Sequence, residues 1–215
     1  MPKITKIEVQ KRNKERVNIY IDGEYSMAVN AELIYKENLR TDMEINIKKL
    51  QEVAAKEEIL RCRSSALKVI ERSCKTEKEL RDKLKEKNYS DNAIELSIQF
   101  LKEYNYLNDN TYAKAFIKDH SSSKGSSRIK YELLKKGISK DIIEENMLKC
   151  IDEDIERKAA LSIGKKKYRS IIKGESDTYK ISGKLYRFIL SKGYNYDIVK
   201  SVVKEIMNDD MFIEN

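Results

Sequence analysis

Apolar residues recur along this chain with two different periods. In residues 1–30 the period is two. Ile7 and Val9, then Val17, Ile19 and Ile21, then Tyr25, Met27 and Val29 each line one face of a short run. Such alternation predicts three strands, with "QKRNKER" and "DGE" as the turns. A three-residue Asp22-Gly23-Glu24 loop pairs Ile21 with Tyr25, Ile19 with Met27 and Val17 with Val29, which keeps the apolar faces in phase. A two-residue loop sets them out of phase, so the longer loop is expected. The segment "AELIYKEN" reads as a short helix covering this meander.

From about residue 48 the period becomes helical, and a longer period is laid over it. The stretches "KLKEKNYSDNAIELSI", "ELLKKGISKDIIEENML" and "FILSKGYNYDIVKSVV" align with one another. In that frame Leu80, Ile129 and Leu185 coincide, as do Leu84, Leu133 and Ile189, and Tyr89, Ile138 and Tyr194. Ile94, Ile143 and Val199 follow, then Ile98, Met147 and Val203, then Leu101, Cys150 and Ile206. The copies stand 49 and 56 residues apart, a spacing suited to a three-helix unit. Asn88, Gly137 and Gly193 share one position, where a left-handed residue ends a helix. Ser90, Ser139 and Asn195 follow as N-caps of the next helix. Thr76 with Glu79 forms a capping box, and Ala66/Ile70, Ala113/Ile117 and Ala159/Ile163 mark the apolar face of each first helix.

The expected fold is therefore mainly α. A small N-terminal β-meander with a covering helix (1–47) precedes three tandem three-helix repeats at 48–105, 106–151 and 152–215, forming an elongated, curved helical array. The glycine turns resemble a helix-turn-helix, but their matched positions are mostly apolar core positions, so packing explains them better than reading of a DNA groove.

Composition supports this and narrows the function. One Pro, seven Gly and a charged fraction of 37% suit a helical protein with much surface per residue. Three cysteines without a C-x-x-C pair read as helix core or boundary residues. His120 is the single histidine, so neither a zinc site nor a Ser-His-Asp or Cys-His site can be assembled. Asp141, Glu144 and Glu145 lie on one helix with no partner carboxylate on a strand, so they read as solvated charges rather than a metal-dependent nuclease cluster. No glycine-rich phosphate cradle follows a strand. No signal peptide and no membrane-spanning run are found, which places the chain in the cytoplasm. No enzyme activity, cofactor or metal is expected.

The copies differ in one place above all. Ile70 to Leu80 spans 10 residues and Ile117 to Ile129 spans 12, but Ile163 to Leu185 spans 22. The added segment, "GKKKYRSIIKGESDTYKISGK", is basic and carries Tyr168 and Tyr179. Residues 157–204 hold thirteen Lys/Arg against three Asp/Glu, an excess of ten in a chain whose net charge is +8. The acidic stretches "DEDIE" and "EIMNDDMFIEN" flank it. Lys165, Lys166, Lys167 and Arg169 can neutralise phosphates or enter an acidic groove, with Tyr168 available to stack. On charge, Lys173, Lys180, Lys184, Arg187 and Lys192 join this candidate contact surface. The Ser/Gly run "DHSSSKGSSR" (119–128) reads as a flexible surface linker.

A family resemblance rests on "TEKELRDKLKEKNYSDNAIELSIQFLKEYNYLNDNTYAKAF" followed by "RIKYELLKKGISKDII". The junction Tyr106-Leu107-Asn108-Asp109 with Tyr112-Ala113, and the element Arg128-Ile129, Glu132-Leu133 and Lys136-Gly137-Ile138, resemble the RecX regulatory family over nearly the whole chain. The pattern departs at Asn105, where the family has Gly; Asn tolerates the same left-handed geometry. The resemblance implies a monomeric, non-enzymatic regulator that lies in the groove of the RecA–DNA filament and inhibits ATP hydrolysis and strand exchange. Single- or double-stranded DNA is a possible second partner, and no membrane is involved. The competing reading is a direct DNA- or RNA-binding helical-repeat protein that acts by competition for nucleic acid; a scaffold that binds neither is the third.

Overall fold

The computed structural model describes residues 2–11 and 13–211. The part of the acidic tail at 212–215 lies outside them. Strands β1 (Ile4–Val9), β2 (Arg16–Ile21) and β3 (Glu24–Asn30) form an antiparallel sheet in the order β1-β2-β3. Ten helices follow among the described residues: α1 (Ala31–Lys36), α2 (Ile47–Arg72), α3 (Glu77–Glu86), α4 (Asp91–Glu103), α5 (Asp109–His120), α6 (Ser126–Lys135), α7 (Lys140–Cys150), α8 (Glu153–Ile171), α9 (Thr178–Ser191) and α10 (Tyr196–Met211). The fold is mainly helical after a small sheet, as the periodicity predicts. None of these helices is long and apolar enough to cross a membrane.

The hairpin corrects one expectation. Val17 pairs with Val29 and Ile19 with Met27, but Tyr20 then pairs with Tyr25 and Ile21 with Glu24. The loop is the two-residue Asp22-Gly23, both left-handed with φ of 49° and 90°. Phase is recovered by a bulge that leaves Ser26 as the extra residue, not by a longer loop. β1 also differs, because Val9 is exposed while Ile4 carries the burial. Ile4, Ile19, Ile21, Val29 and Leu33 of α1 form one core with Leu39, Ile45 and Leu50.

The chain divides into two compact units, 1–73 with 80–106 and 74–79 with 107–215. Within the first, α4 packs on α2, burying Ile94, Ile98 and Leu101. Within the second, α5–α7 enclose Ala113, Ile117, Ile129, Leu133, Ile138 and Ile143. In the same unit α8–α10 enclose Ala160, Leu185, Ile189, Tyr194, Val199 and Ile206.

The repeated punctuation has the expected geometry. Asn88, Gly137 and Gly193 have φ of 61°, 86° and 90°. Ser90 accepts from the Ala93 amide at 3.3 Å, Ser139 from Ile142 at 3.4 Å and Asn195 from Ile198 at 2.8 Å. The Thr76/Glu79 box closes in both directions at 3.2 Å.

The first helix of the third repeat is offset from the frame read in the sequence. Ala160 and Gly164 face the core, and Ala159 and Ile163 are only half-buried. Gly164 sits close against the core, where a Cβ would lie 2.7 Å from Ile206 Cδ1 and 3.2 Å from Ile189 Cδ1, both the movable ends of side chains.

Candidate partner and nucleic-acid interface

The long connection of the third repeat resolves into helix. α5 ends seven residues after Ala113, whereas α8 runs eleven residues beyond Ala160. Likewise α6 begins three residues before Ile129, but α9 begins seven before Leu185. Each helix gains about one turn, and the rest of the insertion is the short connection between them. Asp177 caps α9, accepting from the Tyr179 amide at 2.9 Å and the Lys180 amide at 3.2 Å.

This geometry sorts the ten candidate residues. Lys165, Lys166 and Arg169 are exposed on α8, and Lys173 is exposed in the connection. Lys167 and Lys192 are brought together, their ammonium groups 5.4 Å and 5.3 Å from the centre of the Phe188 ring. Lys180 pairs with Asp177 at 3.6 Å, and Lys184 with Glu175 at 2.8 Å. The Lys184 ammonium holds the Glu175 carboxyl below the usual carboxylate range, helped by the Asp177 amide. Arg187 donates to the Gly183 carbonyl at 3.1 Å.

Tyr168 contradicts the stacking role expected of it. It is 8% exposed and packs in the core with Ile171, Ile181 and Leu185. At helical spacing from Ala160 and Gly164, it falls on the inner face of α8. The aromatic residue of this segment that does reach solvent is Tyr179, 88% exposed in the first turn of α9. Its position just after an Asp cap was the sequence signal for that.

Among the described residues, Lys166, Arg169 and Lys173 have no carboxylate partner. They follow one another at helical spacing around the C-terminal end of α8, and Arg169 stands in its last turn, where the helix dipole also favours a cation. The insertion's acidic residues are spent on the α9 side, so the uncompensated charge sits on the α8 side. Such a cluster attracts phosphates or carboxylates through charge and hydrogen-bond donors alone.

The Ser/Gly run is not a free linker. The Gly125 amide donates to the Lys192 carbonyl at 2.9 Å, and the Ser127 amide to the Gly193 carbonyl at 3.2 Å. Glu156 accepts from the Ser126 amide at 2.7 Å and its hydroxyl at 2.6 Å. A Cβ on Gly193 would lie 2.6 Å from the Arg128 amide nitrogen, so the start of α6 sits directly on the α9–α10 turn. The start of α3 lies on the α6–α7 turn in the same manner. Thr76 Oγ1 donates to the Lys136 carbonyl at 2.7 Å, and Lys78 Cβ lies 2.6 Å from where a Gly137 Cβ would be. Lys136 also pairs with Glu79 at 2.6 Å. Burial alone would raise the Glu79 carboxyl, yet the Lys136 ammonium and the Thr76 amide hold it below its ordinary value. Equivalent positions thus make equivalent joints, one closed by a hydroxyl and an ion pair, the other by backbone amides.

Comparison with known proteins covers the same ground. Residues 2–46 match the regulatory protein RecX N-terminal domain, and 62–101, 108–147 and 154–203 match the first, second and third RecX three-helix domains. A regulatory protein RecX of Clostridium beijerinckii is 53% identical over 98% of this chain and 99% of its own. That of Clostridioides difficile is 36% identical over 97% and 98%. A crystal structure of a regulatory protein RecX superposes with a TM-score of 0.66 at 23% identity, covering 94% of this chain and 98% of the other. RecX from Lactobacillus salivarius gives 0.62 at 25% identity, covering 70% and 97%.

Proposed function

Because the chain belongs to the RecX regulatory protein family, we propose that it regulates the RecA recombinase by binding in the groove of the RecA–DNA filament. In this reading it inhibits ATP hydrolysis and strand exchange without catalysing a reaction, and it acts as a monomer in the cytoplasm. The observation that carries the proposal is the match of all four family domains, in order, along the chain.

Lys166, Arg169 and Lys173 are the residues assigned to contact with filament carboxylates or DNA phosphates. Lys165, Lys180, Lys184, Arg187 and the Lys167–Lys192 pair border them as weaker contributors. Lys180 and Lys184 already pair with carboxylates, Arg187 with a carbonyl, and Lys167 and Lys192 with the Phe188 ring. Direct binding to nucleic acid is the second reading, favoured by the same uncompensated cluster.

The test is RecA's DNA-dependent ATPase on preformed filaments at sub-stoichiometric protein, with bare-DNA binding measured alongside. Inhibition at concentrations too low to occupy the DNA supports the filament reading. Inhibition only at DNA saturation, with a steep loss of binding as salt rises, supports competition for nucleic acid. The K166E/R169E/K173E variant should lose inhibition while its unfolding transition is unchanged. Full inhibition by that variant would remove the cluster from the mechanism.

A further inference from the structure

Asn105, the residue that departs from the family pattern, ends α4 in a turn whose neighbours are two exposed aromatic rings. Its φ is 57°, and the turn is closed by Tyr106 N–H to the Leu101 carbonyl at 2.8 Å and Asn105 N–H to the Lys102 carbonyl at 2.9 Å. This is the helix-ending motif in which the residue after the left-handed one normally folds back onto the helix. The same motif at Gly137 buries Ile138 to 2% exposure and at Asn88 leaves Tyr89 half-buried, while the left-handed turn at Gly193 buries Tyr194 to 2%. Tyr106 instead remains 57% exposed, and Tyr104 before it 59%. The residue after the left-handed one is buried or half-buried at all three of these turns, and Tyr106 is not.

The rings are ordered rather than splayed. Tyr104 and Tyr106 lie 17° from parallel with centroids 6.5 Å apart. Phe100 continues the row 4.6 Å from Tyr104, and the Arg63 guanidinium lies 4.5 Å over Phe100. Arg63 Nε is buried without a hydrogen-bond partner, so its contact with the ring takes the place of a polar one. The result is a row of one cation and three rings, held at its inner end and open at its outer end.

We propose that Tyr104 and Tyr106 form a stacking site for an unpaired nucleobase of a single strand. Near-parallel rings accept a flat group that edge-to-face rings would reject. The hydrogen-bonded turn fixes both rings before a ligand arrives, which lowers the ordering cost of binding. Stacking of this kind does not distinguish sequence, since every base has a π-face. Lysine or arginine side chains of a protein could also lie on tyrosines. A positively charged chain whose ring row already ends in a guanidinium favours the neutral ring of a base over a second cation.

The test compares a labelled oligo(dT) strand with an abasic strand of equal length and charge, using fluorescence anisotropy on the full chain. Wild type should bind the base-bearing strand at least about fivefold tighter, the smallest effect expected from one stacked base. Y104L/Y106L should lose that preference and keep its affinity for the abasic strand, while Y104F/Y106F should retain it. Circular dichroism melts confirm that the variants fold. Equal affinity of wild type for the two strands, or an unchanged preference in Y104L/Y106L, overturns the proposal. Loss of filament inhibition in Y104L/Y106L with no change in DNA binding also overturns it, assigning the rings to a protein partner. That outcome leaves the regulator reading intact.

Discussion

Gly193→Ala and Gly23→Ala together isolate the energy of a repeat joint. Both glycines have φ of 90°, so each alanine incurs the same left-handed strain of about 1–2 kcal/mol. Nothing lies within 4 Å of a Cβ on Gly23, and that strain should be its whole cost. On Gly193 the new methyl group would meet the Arg128 backbone, which cannot move without displacing the start of α6. The hydrogen bonds donated by the Gly125 and Ser127 amides would then break, at about 0.5–1.5 kcal/mol each. Gly193→Ala is therefore expected to cost about 4 kcal/mol, roughly 2 kcal/mol more than Gly23→Ala. Urea unfolding by circular dichroism measures the difference, and hydrogen exchange locates it at 124–130 and 190–196. If Gly193→Ala costs no more than Gly23→Ala, the α6 start does not bear on the turn and the joint is misread.

Other expectations follow from single contacts. Glu79→Gln should lower stability at neutral pH and narrow the difference between neutral and acidic pH. The native Glu79 carboxyl is depressed, so its contribution is full above the ordinary carboxylate range and is lost as pH falls through the depressed value; urea midpoints at pH 7 and pH 3 check this. Tyr194→Phe should be neutral or stabilising by about 1 kcal/mol, because the hydroxyl is buried without a partner. Burial has pushed that phenol up to about 12, and a clear loss in thermal stability would show that the oxygen has a partner after all. Gly164→Ala should change stability by less than about 1 kcal/mol. Its gain in helix propensity offsets the movement of the Ile206 and Ile189 methyl ends, which, unlike the Arg128 backbone, can rotate away. A loss as large as that of Gly193→Ala would refute the distinction.

Much of this molecule is legible without coordinates, because periodicity and capping are local. The strands, the three helix triplets, the left-handed residues 88, 137 and 193 and the caps Ser90, Ser139 and Asn195 depend on neighbours a few residues away. Even the glycines carry a message. Gly137 and Gly193 each bear the start of another helix, which leaves no room for a side chain. Chain-local patterns could not decide whatever depends on distant partners. The hairpin kept its faces in phase by a bulge, a choice the sheet makes and the loop sequence does not. The "SSSKGSS" run looked like a linker because its partners, Lys192, Gly193 and Glu156, are far along the chain. Tyr168 looked like a stacking residue because its basic neighbours are exposed, yet the helix turns it inward. The sequence by itself determined the elements, their order and the family they belong to. Only the tertiary structure decided which faces, charges and rings were left over for a partner, since burial and pairing are properties of residues brought together from far apart.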